Sequence, residues 1–124
     1  MITAWAHLPN ATHIDRVLAS LAATPELWDA AWNAAWDAAW DAAWDAAWGA
    51  AWGATRGAAR DAAWGAARGA AWNAARGAVA ALIAWDDCAV FLDMPPDAVR
   101  LVAASGHHPA VLLLPAAIVF NPSI

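Results

Sequence analysis

From residue 28 onward, apolar and polar positions recur every four residues: a Trp or Arg, then Asp, Asn or Gly, then a pair that is almost always Ala-Ala. Thirteen such units fill residues 28–79, reading WDAA, WNAA, WDAA, WDAA, WDAA, WGAA, WGAT, RGAA, RDAA, WGAA, RGAA, WNAA, RGAV. Ala at half of the positions, with no Pro and few β-branched residues, predicts helix. Thr24 as N-cap, Pro25 at the first helical position and Glu26 in the first turn mark its start. Beyond the repeat, Leu82, Trp85, Ala89 and Leu92 fall on one face, and Pro95-Pro96 stops the helix. Gly at every fourth residue in the second half weakens this helix by up to about 1 kcal/mol each.

A period of four does not match an α-helix. At about 100° per residue, each step of four advances the Trp position by about 40°, so the row winds round the helix in about nine units. Supercoiling cannot absorb so large a departure from 3.6. Trp side chains that point to every side need cover from several directions, because exposed apolar area forfeits roughly 25 cal/mol per Å² of burial. One chain supplies little other surface, so the expectation is a homo-oligomer.

The repeat is also divided in charge. Asp29, Asp37, Asp41 and Asp45 make its first half negative, whereas Arg56, Arg60, Arg68 and Arg76, against Asp61 alone, make its second half positive. Charge pairing therefore favours an antiparallel arrangement, with Asp45–Arg60, Asp37–Arg68 and Asp29–Arg76 as one register and a slip by eight as another. Either a hairpin turning near residues 49–57 or two straight helices from two copies satisfies it. Gly49, Gly53 and Gly57 form the most breakable stretch, and with the Ala pairs they permit close helix approach. Each alternation in the repeat can be one base change, which points to expansion of a twelve-base unit followed by point mutation.

The flanks read as packing helices. Thr12-His-Ile-Asp15 resembles a capping box and opens a helix over 12–22 with Ile14, Val17, Leu18 and Leu21 inward. Residues 97–104 form another, with Val99, Leu101 and Val102 apolar and Gly106 as the stop. The run at 110–120 has no polar face and contains Pro115, so it is expected in the core or at a subunit interface, kinked or broken at the proline. The resulting expectation is an all-α single domain over 1–124: a helix at 12–22, the tetrapeptide-repeat helical region at 25–93 and apolar helices at 96–120. A long Ala/Trp repeat helix, or an antiparallel helical hairpin, is assembled with the short flanking helices as a helical bundle.

Composition changes this picture in four ways. A length of 124 residues suits one modest core. The net charge of −5 excludes general attraction to duplex DNA or an anionic membrane, and the longest apolar run is too short to span a bilayer. Eleven Trp, no Tyr and six basic residues, all Arg, give potential for cation–π contact, although high-GC coding accounts for the bias itself. A lone Cys88 excludes an internal disulfide, and Met1-Ile-Thr-Ala-Trp-Ala-His does not read as a signal peptide; a cytoplasmic protein is expected.

Little of the sequence suggests catalysis. Cys88, with Asp86, Asp87, His107 and His108, matches no standard zinc spacing, and a buried thiol with loop histidines is the plainer reading. Asp86 and Asp87, adjacent on a helix, diverge by about 100° and make a poor acid–base pair. No phosphate-binding Gly loop, nucleophile elbow or HExxH is present. No enzyme activity, metal or cofactor is expected. The one constellation with binding character is Arg56, Arg60, Trp64, Arg68, Trp72 and Arg76, where Arg holds phosphate and Trp stacks on a base. The plainer alternative is that these Arg residues pair with Asp of the first half and cover Trp faces.

The AAW and AAR units, followed by ALIAWDDCAVFLDMPPDAVR at 81–100 and GHHPAVLLLPA at 106–116, resemble small Ala/Trp/Arg tetrapeptide-repeat proteins of bacteriophages and bacteria. The resemblance covers residues about 12 to 120 and carries no catalytic residues with it. It implies a phage-like origin, in which small oligomeric proteins act against host defences from the host cytoplasm. Two function classes follow. One is a non-catalytic oligomeric binding protein that sequesters a nucleotide-like anionic ligand or blocks a host protein. The other is a structural, self-assembling protein that forms a bundle or filament.

Overall fold

A computed structural model describes residues 5–54 and 72–122, and these are all-α: six α-helices and one 3-10 segment, without strands. The helices are α1 (Ala11–Ala23), α2 (Pro25–Ala35), α3 (Ala38–Ala54), α4 (Trp72–Ala84), α5 (Pro96–Ala104) and α6 (His108–Phe120), with the 3-10 segment at Cys88–Asp93. They form a bundle about α6. Helices α2, α3, α4 and α5 and the 3-10 segment all pack on it, and α1 closes over α4 and α2. The apolar run without a polar face is thus the core: residues 110–117 are all buried. No helix among the described residues is long and apolar enough to cross a membrane.

Helix α6 runs through Pro115 without a break. The proline has no N–H to give the carbonyl four residues back, that of Val111. The Trp40 indole fills this role, donating from Nε1 to the Val111 oxygen at 3.2 Å. A side chain of the repeat thereby satisfies a carbonyl that would otherwise be buried unpaired.

The repeat is not one straight helix. Trp36 is extended (φ −71°, ψ 125°), and the chain restarts as α3 two residues later. Asp37 caps the new helix by accepting from the Trp40 N–H at 2.7 Å. Arg100 of α5 closes the old one by donating to the carbonyls of Ala34 (2.9 Å) and Ala35 (3.4 Å). This break answers the phase problem inside one chain. Within α3 the Trp row rotates about 120° over three steps, and its exposure follows: Trp40 5%, Trp44 6%, Trp48 half-buried, Trp52 49%. Within the preceding units the same drift carries Trp28 at 0% to Trp36 at 54%. The break resets the row, returning Trp40 to the core.

Other expectations meet local differences. Helix α1 starts at Ala11, with Asn10 at its N-cap; Thr12 lies inside it, and Asp15 accepts from the Trp5 indole at 2.8 Å instead of closing a capping box. Ile14, Val17 and Leu21 are buried as expected. Thr24 precedes α2 as expected, but its hydroxyl donates back to the Ser20 carbonyl at 3.0 Å. Helix α4 stops at Ala84, short of the expected run to Pro95, because Asn10 captures its end carbonyls: Nδ2 donates to Leu82 at 2.9 Å and to Trp85 at 3.1 Å. Leu101 is exposed, and Gly106 ends α5 in the left-handed region at φ 89°. Of the turn expected near 49–57, residues 49–54 are helical and belong to α3, whereas 55–57 lie outside the described residues. The close helix approach occurs instead at Gly77, where the Trp44 ring of α3 lies against α4.

Candidate binding platform

The residues singled out from the sequence divide sharply. Arg56, Arg60, Trp64 and Arg68 lie outside the described residues, and Trp72 is the first described residue of α4. Arg76, also in α4, is the member with a described ring contact. Its guanidinium carbon sits 4.5 Å from the centroid of the Trp48 ring, in cation–π geometry. Burial lowers its pKa, yet arginine stays charged at any physiological pH.

Trp48 in turn stacks on Trp44, with ring planes 6° apart and centroids 6.3 Å apart. Trp44 is placed by Gly77: a Cβ there would fall within 2.8 and 2.9 Å of two ring carbons, so the indole edge occupies the space that any other residue would need. Trp32 and Trp40 pack edge-on and tilted against Trp44, which fixes the base of the column in the core. At the outer end, Trp52 lies 6.2 Å from Trp48, tilted by 47°, and is 49% exposed. The arrangement is an aromatic ladder rising from core to surface, with the Arg76 guanidinium lying on its outer part.

Chemically, this platform offers a partly exposed indole and a nearby guanidinium. The first suits stacking on a flat ring, and the second suits a phosphate or carboxylate. Arg76 belongs to the basic segment singled out from the sequence, whereas Trp48 and Trp52, in the preceding units, come beside it through the packing of α3 on α4. The signal was present in the winding of the Trp row, but its use requires knowing that the row restarts at Trp40.

The charge pairs expected across the repeat are replaced where they can be seen. Asp45–Arg60 and Asp37–Arg68 involve arginines outside the described residues. Asp37 approaches Arg100 at 3.9 Å, Arg76 lies over Trp48, and Asp29 is exposed. Asp37, Trp40, Arg100 and Gly106 also line a cavity of about 150 Å³. Its polar side chains are already engaged in closing α2 and capping α3.

Cys88 is 2% exposed and donates to the Ala81 carbonyl at 3.4 Å. Burial, reinforced by the charges of Asp87 and Asp86, pushes its thiol up to about 12, the opposite of an activated nucleophile. His108 stacks on Trp85, with centroids 6.5 Å apart, and His107 meets the Phe91 ring at 5.4 Å. Among the described residues no group of three or more His, Cys, Asp or Glu is placed to hold a metal ion. No family model, curated protein or solved structure matches this chain.

Proposed function

We propose that this chain is a non-catalytic binding protein whose Trp/Arg platform takes a planar anionic ligand of the nucleotide type. The observation that carries this reading is Arg76 lying on Trp48 beside the exposed Trp52. The flat ring of the ligand stacks on Trp52, and its phosphate replaces or joins the contacts of the Arg76 guanidinium. Arg56, Arg60, Trp64, Arg68 and Trp72, which precede Arg76 in the same basic half of the sequence, are of the same two residue types. The resemblance to phage proteins makes the role sequestration of a host nucleotide, in the host cytoplasm, as a counter-defence. Titration with adenine and guanine nucleotides, followed by Trp fluorescence, tests this. Quenching should saturate at micromolar concentration, and Trp52→Ala and Arg76→Ala should each weaken it at least about tenfold, or roughly 1.4 kcal/mol. Binding no tighter than about 1 mM for every nucleotide tried would remove the proposal.

A second reading is favoured by a different observation. Leu27, Trp36, Trp52 and Leu101 are large apolar side chains between 49% and 76% exposed. Such residues suit a homo-oligomer, or a self-assembling bundle, in which copies of the chain cover one another. Light scattering across a concentration series tests this: a constant single-chain mass up to about 100 μM would exclude association of useful strength.

A further inference from the structure

We infer that the break at Trp36–Asp37 is a hinge, and that straightening it exchanges α1 and α2 with a second copy of this chain. The hinge residues belong to a Trp-Asp-Ala-Ala unit, and the same four residues are helical at 40–43 and 44–47 within α3. The local sequence therefore has helix as an available state at 36–39 as well. What holds it open is one tertiary contact, from Arg100, and one local cap, from Asp37.

In a continuous helix the N–H groups of Ala38, Ala39 and Trp40 would bond the carbonyls of Ala34, Ala35 and Trp36. The break removes these bonds, and two side chains satisfy three of the six backbone groups that it frees. Arg100 takes the Ala34 and Ala35 carbonyls, and the Asp37 carboxylate takes the Trp40 N–H. Loss of either side chain leaves backbone groups that straightening satisfies.

Straightening carries α1 and α2 away from their own α4 and α6. A second copy offers the same surfaces. There Trp28 meets Phe120 edge-on, Asn10 caps the end of α4, and Arg16 pairs with Asp93, as within one chain. The exchange thus preserves the core contacts while adding helix, and it brings two hinges together where Trp36 is 54% exposed. The occupant of the vacated face is the α1–α2 unit of the partner copy.

Three variants of the full chain decide the matter. Asp37→Ala and Arg100→Ala each remove one lock, and both should strengthen dimerisation at least about tenfold over the parent, read by light scattering across concentration. Ala38→Pro leaves the closed form intact, since proline is accepted at the first position of α3, but it forbids the continuous helix and should oppose exchange. Exchange is separated from side-by-side association by placing Arg16→Cys and Asp93→Cys in each background and adding a short bismaleimide. The native pair lies at 3.0 Å, and Cys88 is buried. Linkage between chains in Asp37→Ala or Arg100→Ala, and within the chain in Ala38→Pro, is the expected result. Linkage within the chain in a dimer of either lock variant overturns the proposal, as does an unchanged mass in both. Where one lock variant fails to fold, the other decides.

Discussion

The Trp40 indole donates to the Val111 carbonyl, the group that Pro115 leaves without its helical partner. One residue of the repeat and one of the apolar C-terminal helix thus complete a bond that neither segment makes alone. Both groups are buried, so nothing else among the described contacts replaces it.

Trp40→Phe should therefore cost about 1–3 kcal/mol, the penalty of an unsatisfied buried carbonyl, beyond what the smaller ring loses in packing. In a Pro115→Ala background the residue 115 amide becomes able to bond Val111, and the cost of Trp40→Phe should fall by about 1 kcal/mol or more. Urea denaturation of the four proteins in the cycle measures the coupling. Additive effects would show that the indole bond contributes nothing specific.

The Asn10 amide ends α4 by binding two of its last carbonyls, and Asn10 is itself 4% exposed. Asn10→Ala should cost about 1–3 kcal/mol in urea. Asn10→Asp should cost more at neutral pH, because a carboxylate brings an acceptor and a charge to carbonyls that need a donor. Equal losses in the two variants would mean that the side chain serves packing only.

How far the sequence announced this fold depends on which step is considered. The helical character of the described parts of the repeat, the burial of residues 110–117 and the stop at Gly106 follow from Ala content, apolarity and a left-handed glycine. The winding of the Trp row also follows from arithmetic, and it is seen in the passage from Trp40 to Trp52. The breaks do not follow. They depend on Arg100 and Asn10, each more than 60 residues in sequence from the helix end it closes. A local pattern cannot encode them, least of all in a repeat whose WDAA units are identical. The platform was half legible for the same reason: Arg76 carries its own signal, whereas Trp48 becomes part of a site only through α3 packing on α4.

The two glycines of the repeat whose surroundings are defined should respond oppositely to substitution. Gly49→Ala meets nothing within 4 Å and replaces a poor helix former by the best, so it should stabilise by up to about 1 kcal/mol. Gly77→Ala drives a methyl group into the Trp44 ring and should destabilise by about 1–3 kcal/mol while disturbing the Trp44–Trp48 stack. Thermal melts give the two signs, and near-UV circular dichroism reports the stack. Stabilisation by both would show that Trp44 moves aside without cost.

Alkaline stability should depend on Cys88. Burial, together with the neighbouring Asp87 and Asp86, raises its thiol in the folded chain from 9.0 to about 12. The unfolded chain therefore loses this proton first as pH rises. Between about 9 and 12 the folded state binds more protons than the unfolded one, so stability falls with pH, by at most about 1.4 kcal/mol per unit from this group. Below pH 9 the contribution is fully present. Urea midpoints taken from pH 8 to pH 10.5 should fall, and Cys88→Ala, though less stable at pH 8 through its lost volume, should flatten the decline. Equal slopes for the two proteins would place the alkaline sensitivity elsewhere. Slow reaction of the native thiol with a disulfide reagent at pH 8, accelerated by urea, would show independently that the proton is held by burial.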